Sequence, residues 1–284
     1  MTDTAAGPRS RYLPCAGREI HFMEWGAGHE EVVVAWHGLA RTGRDMDALA
    51  AHLARRYRVI CPDTPGRGLS QWSPQPDAEY CLEVYVRQAT ALLDQLGVGR
   101  CLWVGTSMGG AIGLVAAATT LRSRIRRLLL NDIGPELAPA AVARIRDYAG
   151  HPQAFATLTE LEGYFRLIYA PYGWLSDAQW RQLAETSARR LPDGRLTPHY
   201  DPAIVRQFVT RPADYERWAE WDSLELPVLC LRGEHSDLLT EATAEAMRGR
   251  GPRAVVVTVP DCGHAPALNT PAQFALVERF LAAL

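Results

Sequence analysis

Lysine is missing from this chain: all 30 basic residues among its 284 are arginine. A lysine Schiff base, a pyridoxal-phosphate lysine and a Walker A phosphate clamp are therefore excluded. No run of 18 apolar residues occurs, and the opening Met1-Thr2-Asp3-Thr4-Ala5-Ala6-Gly7-Pro8 is polar with no apolar signal core. The expectation is a soluble, cytoplasmic protein with no membrane span. The six cysteines (Cys15, Cys61, Cys81, Cys101, Cys230, Cys262) show no C-x-x-C spacing, and several lie in or beside apolar runs. They read as free buried thiols of a reducing compartment. The eight histidines form neither H-x-x-x-H nor H-E-x-x-H, so no metal site is expected. Gly66-Arg67-Gly68 has Gln71 where a dinucleotide fingerprint needs its third glycine, and no cofactor is expected either. The net charge of −2 provides no global field for nucleic acid or an acidic membrane. Arg122, Arg124, Arg126 and Arg127 read as the solvated lead-in to a strand. The expected partner is a small-molecule substrate, with monomer and homodimer both left open.

What is present is a large apolar fraction, 48% of the chain, enough for one large core with an inserted subdomain. The chain is organised around Cys101-Leu102-Trp103-Val104-Gly105-Thr106-Ser107-Met108-Gly109-Gly110. An apolar run suited to a buried strand enters a G-x-S-x-G turn, and a small-residue helix, Ala111 to Ala118, leaves it. That pattern fits a nucleophile elbow. The serine must sit on a strained turn, and the flanking glycines let strand and helix cross closely. The helix N-terminus favours negative charge developing at the site.

Residues 1–9 read as a disordered leader. A β-hairpin is expected from Tyr12–Cys15 and Glu19–Trp25 around Ala16-Gly17. Val32–Trp36 is a continuous apolar strand ending in His37-Gly38-Leu39. A helix over 45–55, a strand at Val59–Cys61, a helix over 79–96, the central strand and a strand at Arg127–Asn131 follow. Strands alternating with helices predict a doubly wound, mostly parallel α/β sheet. From Gly134 to Asp222 the pattern becomes helical and rich in aromatics, broken by Pro171, Gly173, Pro192-Asp193-Gly194 and Pro202, with no strand run. Sheet logic resumes at Val228–Leu231, with a helix near 240–249, a strand at Ala254–Val259 and a last helix from Pro271 to Leu284. The expected organisation is a core of 10–133 and 223–284 and a helical cap of 134–222 over the carboxyl ends of the strands. Most cap aromatics are expected to pack the cap and a minority to face the pocket.

A serine hydroxyl needs a base oriented by a carboxylate, each on a loop after a strand. His264 fits the base, in the turn-rich loop Val259-Pro260-Asp261-Cys262-Gly263-His264-Ala265-Pro266. Asp237, in Leu231-Arg232-Gly233-Glu234-His235-Ser236-Asp237, is the preferred acid: it falls in the loop after the strand that precedes the histidine's, and the chain order Ser, Asp, His is the one required. Asp132, after the strand ending at Asn131, is the rival, and Glu234 is a weaker one. The oxyanion needs two backbone N–H donors, expected from Met108 and from Leu39. His37 precedes the nucleophile and reads as a structural hydrogen-bonding residue.

Trp36-His37-Gly38, Asp63-Thr64-Pro65-Gly66-Arg67-Gly68-Leu69-Ser70, Gly105-Thr106-Ser107-Met108-Gly109-Gly110, Leu231-Arg232-Gly233 through Asp237, and Gly263-His264 together resemble the α/β-hydrolase fold family, from about residue 11 to the end. The resemblance implies an eight-stranded sheet, a Ser–Asp–His triad and a helical cap. Serine at the elbow departs from the haloalkane dehalogenase and epoxide hydrolase branches, which carry aspartate there. The elbow is similar both to carboxylesterases and to carbon–carbon hydrolases of aromatic ring cleavage, but the His-Gly loop lacks the Gly-Gly-Gly-Pro-Gly run of the latter. The expected activity is hydrolysis of a carboxylic ester or lactone with an apolar or aromatic acyl group through an acyl-enzyme. The alternative is carbon–carbon hydrolysis of a dienoic ring-cleavage product.

Overall fold

A computed structural model describes residues 7–283. Of the expected leader, residues 1–6 lie outside the described residues, and Arg9 already belongs to the first strand. Ten strands are present in this stretch: β1 Arg9–Cys15, β2 Arg18–Trp25, β3 Val32–Trp36, β4 Arg58–Pro62, β5 Cys101–Thr106, β6 Ile125–Asn131, β7 Ala188–Arg190, β8 Leu196–Pro198, β9 Val228–Gly233 and β10 Val255–Val259. The principal helices are α1 Asp47–Leu53, α2 Leu82–Gln95, α3 Met108–Ala118, α4 Pro139–Gly150, α5 Leu158–Ile168, α6 Asp177–Thr186, α7 Glu241–Gly249 and α8 Pro271–Ala282.

Eight strands form one sheet in the order β1-β2-β4-β3-β5-β6-β9-β10. β2 pairs antiparallel with both β1 and β4, and every pairing from β4 to β10 is parallel. The hairpin closes at Ala16 and Gly17, both at positive φ (49° and 88°), the two-residue turn that suits strand twist. The central apolar strands β3 and β5 are buried on both faces, as their unbroken hydrophobic runs require, whereas β10 at the sheet edge is partly exposed. Val34, Trp36, Trp103, Leu128 and Leu130 face α2 and α3, while Val33, Ala35, Leu102, Val104 and Leu129 face α1 and α8. Trp36 and Trp103 stack in adjacent strands with centroids 5.3 Å apart. Their indole N–H groups donate to Thr64 Oγ1 (2.8 Å) and to the carbonyl of Gly109 (3.0 Å), so the ring pair supports the turn above it.

Between β6 and β9 the chain is mainly helical but contains β7 and β8, against the expectation of no strand there. Pro192-Asp193-Gly194 is the turn of this small hairpin, with Gly194 at φ 88°. Three-residue strands are too short to show an alternation in sequence, which is why the segment reads as helix and breaks. Leu161, Phe165, Tyr169, Trp180, Ala184 and Leu196 form a small core of their own. The flanks behave differently: Ala141, Ile145 and Ala149 of α4, with Ile204, Tyr215 and Trp221, join the core of the main sheet.

Candidate active site

Ser107 sits between β5 and α3 at φ 51° and ψ −119°, a left-handed conformation costly for any residue with a side chain. The turn is held from three sides. Ser107 N donates to Asn131 O (2.9 Å), Gly109 N donates to His37 O (3.1 Å), and the Ser107 carbonyl accepts from Gly110 and Ala111. The glycines are explained by proximity. A Cβ on Gly105 would fall 2.3 Å from Gly109 O, and one on Gly109 would fall 2.3 Å from Trp36 O. Either substitution forces the helix off the sheet.

His264 Nε2 lies 2.9 Å from Ser107 Oγ, and its Nδ1 lies 2.7 Å from Asp132 Oδ2. The carboxylate beside the histidine is therefore Asp132, and the preference for Asp237 is corrected. Asp237 is half-exposed and engaged by Arg144, which donates to both its oxygens at 2.7–3.0 Å. Asp132 is fully buried at φ 56°, directly after β6, with its N–H bonded to Leu231 O (2.7 Å). The end of β9 and the loop after it contribute donors instead of the carboxylate: Gly233 N reaches Asp132 Oδ1 (2.8 Å) and Ser236 Oγ reaches Oδ2 (2.6 Å). β6 and β9 are neighbours, so an aspartate at either carboxyl end lies near the same point of the sheet. Glu234 accepts the Asp261 N–H at 3.1 Å and does not bond to His264.

The histidine loop is fastened to the segment between β6 and β9. Gly263 N donates to Pro171 O (2.7 Å) and Ala267 N to Tyr172 O (3.1 Å), while Asn131 Nδ2 donates to Pro266 O (2.8 Å). Ser107 and His264 open into a cavity whose other walls include Leu39, Tyr148, Tyr169 and Tyr172. These tyrosines are the minority of that segment's aromatics that face the pocket. Phe165 and Trp180 pack inside it.

His37 is wholly buried; its Nε2 accepts from Thr64 N (2.9 Å), leaving Nδ1–H to donate to Gly38 O (2.6 Å). Burial pushes its pKa down to about 4, so the ring is neutral and holds the loop. Arg67 is a residue that sequence reasoning passed over. Fully buried, it donates to Leu39 O (2.8 Å), Pro65 O (2.7 Å) and Tyr85 Oη (2.9 Å), and lies 3.4 Å from Met108 Sδ. It thereby touches both residues whose amides were expected to form the oxyanion hole. Its only signal was the surrounding Gly-Arg-Gly, which reads as a loop.

A second Ser–His–Asp chain occurs at the sheet edge, with Ser10 Oγ 2.9 Å from His21 Nε2 and His21 Nδ1 2.7 Å from Asp63 Oδ2. Its surroundings differ. Ser10 lies in regular β1, and Asp63 is occupied by the amides of Gly43 (2.6 Å) and Leu69 (2.9 Å), so this network fastens loops. All six cysteines are free and buried, and burial raises the pKa of each. Among the described residues no helix is long and apolar enough to cross a membrane.

A left-handed serine between a parallel strand and a helix, within hydrogen-bond distance of a histidine from the last βα loop, is an arrangement that the α/β hydrolase fold accommodates. The sequence profile of the α/β hydrolase fold matches residues 31–271, and the chain belongs to that family. It is 39% identical to a 3-hydroxybutyrate-oligomer hydrolase of Cupriavidus necator, over 97% of this chain and 98% of the relative. A 2-hydroxymuconate semialdehyde hydrolase of Pseudomonas sp. is 28% identical, over 96% and 93%. Among solved structures, an α/β hydrolase of Novosphingobium aromaticivorans superposes with a TM-score of 0.85 at 34% identity, covering 97% of this chain and 98% of that one. The protein is a hydrolase, and its relatives include ester hydrolases.

Proposed function

We propose that this hydrolase cleaves short carboxylic esters, with Ser107 as nucleophile, His264 as proton carrier and Asp132 as the carboxylate that orients and stabilises the imidazolium. The observation that carries the reading is the hydrogen-bonded series Asp132–His264–Ser107, at 2.7 and 2.9 Å, at the wall of a cavity. Ser107 Oγ attacks the ester carbonyl carbon while its proton passes to His264 Nε2. The same proton then goes to the departing alcohol oxygen as the C–O bond breaks. Water, giving its proton to His264, attacks the acyl-serine; as the acyl C–O bond breaks, His264 passes that proton to Ser107 Oγ, releasing the acid and restoring the free serine. The amides of Leu39 and Met108 are proposed to hold the oxyanion; Arg67, bonded to the Leu39 carbonyl, is proposed to fix that peptide's orientation. The insertion, residues 134–222, acts as a cap that shapes the acyl and alcohol pockets.

For the substrate, the Cupriavidus relative supports an oligoester of a short hydroxy acid over the aromatic acyl group expected from sequence. The test is turnover of 3-hydroxybutyrate dimer and trimer, p-nitrophenyl butyrate and a ring-cleavage dienoate, with the Ser107→Ala protein as blank. Release of 3-hydroxybutyrate that depends on Ser107 is expected. Turnover of the dienoate alone would replace the ester reading by carbon–carbon hydrolysis, for which the Pseudomonas relative is a precedent.

A further inference from the structure

Two residues past Leu39 in the loop after β3 stands Arg41, a guanidinium only 4% exposed. Its Nε and Nη2 are bound to Asp45, both at 2.7 Å, and Nη2 also donates to Ser187 Oγ (2.9 Å). The guanidinium carbon lies 4.5 Å from the Tyr169 ring centroid and 5.4 Å from that of Phe165. The planar fork is thus clamped on one edge and one face. Its remaining nitrogen, Nη1, is buried and has no hydrogen-bond partner. An orphaned donor on a buried cation is costly, and native structures retain one chiefly where another group completes it.

The position of this orphan gives it meaning. A Cβ placed on Gly38 would lie 3.6 Å from Ser107 Cβ and 3.9 Å from Arg41 Cγ, so the serine and the stem of the arginine both lie against one glycine. Arg41 lines the cavity that holds Ser107 and His264, and also the adjoining cavity beneath α6, where Asp45 and Asp47 lie. The walls around Ser107 carry two arginines, Arg41 and Arg144, and no aspartate or glutamate. Arg144 is already paired with Asp237, and the adjoining cavity sets Arg44 against Asp45 and Asp47, so the serine side is the one of the two with no carboxylate in its wall.

We propose that Arg41 Nη1 binds a carboxylate of the substrate a few bonds from the scissile ester, and so selects short esters that carry a free acid. Because this selectivity would operate through the reacting serine's own cavity, the inference rests on the ester-hydrolase reading above. The carboxylate accepts one N–H of Nη1 in a charge-assisted hydrogen bond, with Asp45 and the tyrosine face keeping the fork from swinging. A dimer of a 3-hydroxy acid has this form, its acid group three bonds from the ester oxygen in the alcohol half. A monoester of a short dicarboxylic acid has it in the acyl half.

The experiment compares kcat/KM for two acid and neutral pairs in the unaltered protein: 3-hydroxybutyrate dimer against its methyl ester, and monomethyl succinate against dimethyl succinate. A preference for the acid of about tenfold to a hundredfold in at least one pair is expected, the pair showing which half carries the charge. Arg41→Lys keeps a cation beside Asp45 but lacks the fork, and Arg41→Gln with Asp45→Asn removes both charges. Each should cut the acid-to-ester ratio at least tenfold. Calorimetry of the Ser107→Ala protein supplies a readout independent of turnover: butyrate should bind at least tenfold tighter than butyramide, and Arg41→Lys should abolish the difference. Acid and ester turned over within twofold of each other in both pairs, or butyrate and butyramide bound alike, overturns the proposal. Absence of all ester turnover while butyrate is still selected leaves Arg41 as an anion site and defeats only the ester-hydrolase reading.

Discussion

At the scale of single residues, two aspartates at the ends of neighbouring strands separate by their partners. Asp132 is buried against His264, Gly233 N and Ser236, whereas Asp237 is turned to solvent and to Arg144. Asp132→Asn is expected to lower kcat by about 10⁴, since the amide's N–H₂ disfavours the tautomer in which His264 Nδ1 carries the proton. Asp237→Asn should change kcat by less than about threefold, as expected for loss of an exposed ion pair. Steady-state kinetics on a p-nitrophenyl ester decides, and the reverse ranking would return the role to Asp237. Ser107→Ala and His264→Ala should each cost about 10⁵–10⁶ in kcat, and the double variant little more, because members of a triad act as a unit. Ser10→Ala, which cuts the look-alike chain at β1, is the matched control and should leave kcat within about twofold.

At the scale of elements, the segment between β6 and β9 divides where its cores divide. α5, α6 and the β7–β8 hairpin share one small core, while α4 packs on the main sheet. Phe155 and Leu196 face each other across a bridge, with N–H···O bonds of 2.7 and 2.8 Å, so the chain between them begins and ends at one place. Excising 158–193 and closing the gap with a short Gly/Ser turn should therefore keep the sheet folded, by circular dichroism and size exclusion. It also removes Tyr169 and Tyr172 from the cavity and Pro171 from its bond to Gly263. KM for bulky esters should rise at least tenfold more than KM for acetate esters. Equal effects on the two would place substrate selection in the sheet loops. Excising all of 139–222 is the wrong cut, because it strips Ile145, Tyr215 and Trp221 from the main core.

At the scale of the whole molecule, pH stability is tied to His37. Its pKa falls from 6.5 to about 4 on folding because burial disfavours the imidazolium. Below pH 6.5 the unfolded chain takes up a proton that the folded chain refuses, so stability is full above 6.5 and declines as pH falls toward 4. The loss is about 3 kcal/mol across that window. Urea midpoints between pH 7.5 and 4.5 should fall accordingly, and His37→Gln should flatten the slope while lowering stability at neutral pH. An unchanged slope in that variant would assign the pH dependence to another group, such as His199, whose pKa burial also lowers.

The local pattern by itself determined the sheet, the strand–turn–helix at Ser107 and the loop that carries His264. Continuous apolar runs at Val32–Trp36, Cys101–Val104 and Leu128–Leu130 need burial on both faces, and only a sheet layered with helices on each side supplies it. Gly105 and Gly109 announce a close crossing because any side chain there collides with backbone, a constraint contained within five residues. Which aspartate meets His264 was not legible. The choice depends on which of two neighbouring strand ends turns inward, and that is set by donors about a hundred residues away, Gly233 and Ser236. Arg41 and Arg67 were equally silent, since a loop arginine is normally solvated. Asp45 is a local partner of Arg41, but only packing from elsewhere in the chain, Tyr169 over Arg41 and Leu39 against Arg67, turns these two into buried cations at the site.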